Sequence, residues 1–170
     1  KIRDLIDQRN RVTSLVDVTT NSWHTVASNS YDAGDRLVQR DLGNAMRATW
    51  AYDDAGRVAQ VMHANTNGSN TIVFLTYERD AVGNPLCRED HVNKYLSETY
   101  GYDAADRLID FRRGDINTND CSLVSTNGNS ALLSRQTWTL DALGNWNTTR
   151  SPGRTRIRRP TRLSGARPAA

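Results

Sequence analysis

Six times along its 170 residues the chain passes through the same short turn, an Asp followed at the third place by Gly, Asp or Asn and then by Arg or Asn. The anchoring aspartates are Asp7, Asp32, Asp53, Asp80, Asp103 and Asp141, spaced by 25, 21, 27, 23 and 38 residues. Asp at the first place of a type I turn accepts hydrogen bonds from backbone N–H groups further round the turn. The fourth place takes a positive φ, which lets a hairpin close with a bulge. It is filled by Asn10, Asp35, Gly56, Gly83, Asp106 and Gly144, the residue types that best tolerate left-handed backbone. A shorter near-match at Asp41-Leu42-Gly43-Asn44 is left outside the count.

The residues around the turns read as strands. Trp50 and Tyr52 share one face of the strand entering the Asp53 turn, and Tyr100 and Tyr102 repeat that arrangement before Asp103. No apolar stripe of helical period survives the Gly, Asn and Asp that interrupt every window of a dozen residues. The expected fold is all-β, about six antiparallel hairpins in series. One hairpin is marginal in water, so neighbours must stack to bury a shared face. Ile72–Tyr77, the most apolar run, is expected to be covered on both faces. Pro85 belongs at a strand start, a bulge or an edge, because it cannot donate to a ladder. Asn117–Ser130 reads as an enlarged loop or a repeat whose turn has decayed.

Charge divides the chain at residue 150. Residues 151–170 hold six of its 22 basic side chains and no acid, leaving 16 basic against 19 acidic groups before them, a net of −3. This Arg- and Pro-rich tail reads as a disordered end or an out-of-frame stretch. It lacks the aromatic residues that a single-stranded nucleic-acid site stacks on, so no nucleic-acid partner is expected. No apolar run is long enough to span a bilayer. With no initiating Met and no leader, the chain is expected to be a piece of something longer. Cys87 and Cys121 show neither metal spacing nor a disulfide framework, and read as unrelated thiols.

Tyr52-Asp53-Asp54-Ala55-Gly56-Arg57-Val58, with Tyr102-Asp103 through Arg107-Leu108 and Tyr31-Asp32 through Arg36-Leu37, resembles the YD repeat of the RHS-repeat family. That family includes bacterial polymorphic toxins, the cocoon component of Tc toxins and the extracellular region of teneurins. The resemblance covers residues 1–150, with Ile6, Arg79 and Leu140 replacing the tyrosine at the other three turns. It implies a strip of β-hairpins that winds into a larger shell. In bacterial members the shell encloses a C-terminal toxic domain and is secreted or carried to the cell surface. The implied partners are therefore the rest of that shell and its enclosed domain. The family's Asp-Pro self-cleavage site has no counterpart, since no Asp-Pro occurs here.

Candidate functional residues follow from the same repeats. The turn signature comprises Asp7, Asn10, Arg11, Asp32, Arg36, Asp53, Gly56, Arg57, Asp80, Gly83, Asp103, Arg107, Asp141 and Gly144, read as structural caps with solvated or inter-repeat ion pairs. Trp50, Tyr52, Tyr100 and Tyr102 are candidate glycan-stacking aromatics, with cross-strand packing as the plainer reading. His24, His63 and His91 share no carboxylate spacing, so no metal, cofactor or general base is expected. Nucleophile, Walker and dinucleotide motifs are missing, and the chain reads as non-enzymatic. Asn67-Gly68-Ser69 and Asn147-Thr148-Thr149 match the glycosylation sequon. The expected function is a wall segment that encapsulates a passenger; the alternative is a carbohydrate-binding or adhesion module.

Overall fold

A computed structural model describes residues 1–19, 23–117, 119–126, 129–130 and 132–150. The tail at 151–170 lies outside them. Twelve strands form one antiparallel meander in sequence order. They are β1 (Ile2–Ile6), β2 (Val12–Asp17), β3 (His24–Tyr31), β4 (Leu37–Leu42), β5 (Met46–Tyr52) and β6 (Val58–Asn65). The second half holds β7 (Thr71–Arg79), β8 (Pro85–Asp90), β9 (Glu98–Tyr102), β10 (Leu108–Gly114), β13 (Leu132–Leu140) and β14 (Trp146–Arg150). The short pair β11 (Ser125–Thr126) and β12 (Asn129–Ser130) lies in the long loop between β10 and β13. Its position at the end of the sheet away from the aspartate turns identifies Asn117–Ser130 as an enlarged loop.

All six aspartate turns join strands at one end of the sheet: β1–β2, β3–β4, β5–β6, β7–β8, β9–β10 and β13–β14. In each, the Asp N–H donates to the carbonyl four residues on, and the fourth turn residue donates back to the Asp carbonyl. The fourth residues have the expected positive φ: 61° at Asn10, 62° at Asp35, 78° at Gly56, 107° at Gly83, 57° at Asp106 and 87° at Gly144. Immediately beyond every one of these turns the register slips by one residue. Pro85 opens β8 beside the fourth of these bulges, where no ladder donor is needed.

Neighbouring hairpins join edge to edge, by hydrogen bonds between their strands, rather than by stacking face on face. The result is a single layer with a thin interior. Among the described residues, the buried apolar ones are Val16, Ala27, Ala48, Ala64, Cys87 and Ile116, mostly small. β7 is consequently not covered on both faces as expected: no residue of it is buried, and Ile72 is 54% exposed. A meander supplies β7 with strand partners at both edges and no layer of its own above or below.

Register places Tyr31, Trp50, Tyr52, Tyr77, Tyr100, Tyr102 and Phe111 on one face of the sheet. Cys87, paired opposite Glu78 and Thr99, lies on the other. There it forms a disulfide with Cys121, correcting the expectation of unrelated thiols. The bridge spans 34 residues of sequence, with 5.6 Å between the Cα atoms. Sequence spacing gave no sign of it because the partners belong to different elements, a central strand and the enlarged loop. That loop also places Ile116 in the interior and bonds its own backbone from Asn117 N–H to the Ser122 carbonyl.

Candidate functional site

The six turns share one internal wiring. Asp7 Oδ1 accepts from the Arg9 and Arg11 N–H groups at 2.9 and 3.0 Å, while Oδ2 accepts from Arg11 Nε at 2.7 Å. Asp32, Asp53 and Asp103 repeat it with Arg36, Arg57 and Arg107, each carboxylate taking Nε at 2.7 Å. At Asp80 and Asp141 the side-chain partner is Asn84 or Asn145, at 3.1 and 3.0 Å. A carboxylate that accepts several N–H groups is stabilised in its charged form. The Arg11 and Arg107 side chains, first among the causes, hold Asp7 and Asp103 below the usual carboxylate range, and the Asn145 amide does so at Asp141. At Asp32 and Asp53 the leading cause is the backbone N–H of Arg36 or Arg57. Asp80 is lowered as well, its bonds to Asn84 and Gly83 outweighing burial.

A second set of contacts runs from each turn to the next. Arg11 Nη1 donates to Asp35 at 2.6 Å, and Asn84 Nδ2 donates to Asp106 at 2.9 Å. Arg107 Nη1 reaches the Asp141 carbonyl at 2.8 Å. At Gly56 and Gly83 the preceding arginine occupies the room a side chain would take, whereas at Gly144 the Arg107 guanidinium stands at an ordinary 3.8 Å from that position. A Cβ on Gly56 would lie 3.4 Å from Arg36 Nη1, and one on Gly83 only 2.6 Å from Arg57 Nη1. At Gly83 above all the residue is constrained twice over, by its own φ and by the guanidinium arriving from the previous hairpin.

A third set runs the opposite way. At three turns the residue just before the Asp reaches the carbonyl just after the previous turn: Tyr31 Oη donates to Val12 O and Tyr52 Oη to Leu37 O, both at 2.8 Å. Arg79, which replaces the tyrosine in its turn, donates from Nη1 to Val58 O at 2.7 Å and so performs the same task. The arginines also cover the tyrosine rings, Arg11 at 4.7 Å from the Tyr31 centroid and Arg36 at 4.6 Å from that of Tyr52.

The candidate aromatics therefore divide. Tyr52 has its hydroxyl engaged and one ring face covered. Tyr100 donates to Glu98 Oε2 at 2.7 Å and packs 5.9 Å from Phe111, and burial with that carboxylate raises its phenol pKa. Burial raises Tyr102 too. Trp50 borders an open hollow of about 410 Å³, edge-on to His63 at 6.2 Å between ring centroids, and Tyr100 borders a smaller one of about 270 Å³ beside Asp110 and Cys121. Glu98, missed in the sequence, is a buried carboxylate beside Arg88 and Arg113 on the aromatic face. Asp110 holds Arg112 and Arg135 on the opposite one. His63 and His91 lie on different strands or turns; His91 is stacked on Phe74 at 4.2 Å, with its Nε2 at 2.9 Å from the Thr76 hydroxyl and 3.5 Å from the Glu89 carboxylate. Among the described residues no group of three or more His, Cys, Asp or Glu is placed to hold a metal, and no helix is long and apolar enough to cross a membrane.

No family model and no curated protein matches the chain. Solved structures do. It is similar to a chain of the TcdB2–TccC3 crystal structure at a TM-score of 0.68 and 17% identity, over 91% of this chain and 8% of that one. The Tc holotoxin pore of Photorhabdus luminescens gives 0.67 and 17%, over 89% of this chain and 8% of that one. The likeness shows the fold: the RHS/YD resemblance carried by the turns extends to the arrangement of the strands, and the chain spans about 8% of the length of those Tc chains.

Proposed function

We propose that the chain is an arc of an RHS/YD-type shell wall whose work is steric, closing off a C-terminal toxin or effector domain in a secreted or surface-delivered protein. The observation that carries this reading is the recurrent link from turn to turn, made at the arginine or asparagine position by Arg11, Asn84 and Arg107 and at the tyrosine position by Tyr31, Tyr52 and Arg79. Such wiring gives a barrier without gaps between repeats, and the sheet fold it shares with Tc chains supports the comparison. The wall needs no reacting groups, so the strip is read as non-enzymatic, with the remaining repeats and the enclosed domain as its partners.

The test uses the full-length protein that contains these repeats. Replacing Arg36 and Arg57 together by Met removes the guanidinium groups that meet the Tyr52 ring, Gly56 and Gly83 of the next turns and leaves the apolar stems. Limited proteolysis is expected to cut the enclosed domain faster in this variant than in the parent. Equal protection, or a full-length protein in which no domain is protected, would count against a wall.

A further inference from the structure

The hollow beside Trp50 is a concavity on the aromatic face whose polar groups are not already used by the repeat links. It has a volume of about 410 Å³, within the range of roughly 300–1,000 Å³ typical of small-molecule sites. It lies across β4, β5 and β6 toward the end of the sheet away from the aspartate turns. Buried Ala48 contributes its small side chain, and Met46, Trp50 and the half-exposed Ile72 supply carbon walls. Ile72 is the extra residue of the bulge between β6 and β7, so an irregularity of the ladder, and not a repeat feature, shapes this wall.

Arg40 and His63 line the hollow from the aromatic face, and no acid lines it. Arg47 also borders it, but register sets its side chain on the opposite face, with Asp41. Arg47 is held by Asp41 on both Nε and Nη2. Arg40 uses only Nε, on Asn29 Oδ1 at 2.8 Å, which leaves its two terminal nitrogens to face a ligand. A guanidinium with a free pair of donors matches a carboxylate in geometry and charge. Carbon walls beside one such group suit an aromatic or aliphatic acid, and suit a sugar poorly, because hydroxyls would meet carbon.

We infer that this hollow is a binding site for a small apolar carboxylate, its ring or chain against Trp50, Met46 and Ile72 and its carboxylate on Arg40. The site is independent of whether the strip forms a shell wall.

The experiment is ligand-observed saturation-transfer NMR on the intact chain with phenylacetate, its uncharged counterpart phenylacetamide, and glucuronate. Phenylacetate is expected to bind about tenfold more tightly than the amide, the ratio one charge-assisted pair supplies. Arg40→Met, which keeps the apolar stem, is expected to erase that preference, with circular dichroism verifying the sheet. Ile72→Ser, at an exposed position, is expected to weaken both aryl ligands alike. No transfer to phenylacetate, equal binding of the amide, an unchanged preference in Arg40→Met, or glucuronate binding as tightly as phenylacetate would each overturn the assignment.

Discussion

Gly83 combines a φ of +107° with the closest approach of a neighbouring guanidinium, whereas Gly68, at φ +73°, has open space where a side chain would stand. Gly83→Ala is therefore expected to lose about 1–2 kcal/mol for the backbone alone. Displacement of Arg57 adds to that loss, so its urea midpoint should fall further than that of Gly68→Ala. Arg79 offers a test of role against identity. If it stands in for tyrosine, Arg79→Tyr should be near neutral and Arg79→Leu should cost about 0.5–1.5 kcal/mol, the worth of one hydrogen bond. The turn carboxylates set an acid limit. Their folded pKa values lie below the ordinary 3.8. The stability they contribute is thus fully present above that value and is lost as the pH falls through the lower folded ones. A thermal melt followed against pH is expected to show this contribution level down to about pH 4 and declining below it. Asp53→Asn should shrink the decline.

At the scale of elements, the enlarged loop is tied to the sheet by one covalent bond. Converting Cys87 and Cys121 to Ser is expected to destabilise the chain by about 3–4 kcal/mol, as for a loop of 34 residues. Hydrogen exchange should rise first at residues 115–126. The elements divide by how much of them was legible in the sequence. Hairpins, turn positions, their left-handed fourth residues and the placement of Pro85 are local properties, encoded within a few residues of each Asp. The disulfide was not legible, because it depends on where a long loop lands. Nor was the thinness of the interior: β7 carries the apolarity of a doubly covered strand, yet the meander provides no second layer. Among the site residues, the Asp–Arg couples could be seen as pairs within a turn. Their reach into the next turn, and the hydroxyls reaching back, needed the register between hairpins. Trp50 stood out in the sequence, but its companions Arg40, His63 and Ile72 come from three other strands.

At the scale of the whole molecule, the meander ends, among the described residues, in two strands with one unpaired edge each, β1 and β14. β1 is exposed along its full length, with Ile2 at 53% and Ile6 at 57%. Unpaired apolar edges recruit further strands. The isolated chain is expected to associate with rising concentration in sedimentation velocity, and Ile2→Lys with Ile6→Lys should move it toward the monomer. A wild-type monomer that sediments identically at all concentrations would contradict this. One feature reaches further. Each bulge bends its strand and adds right-handed twist, and all six sit in the same row, just past the turns. Six kinks of one hand along one margin behave like the tapered staves of a cask. Every hairpin is bent in the same sense, so the curvature is written into each stave, and adding staves only carries the bend further.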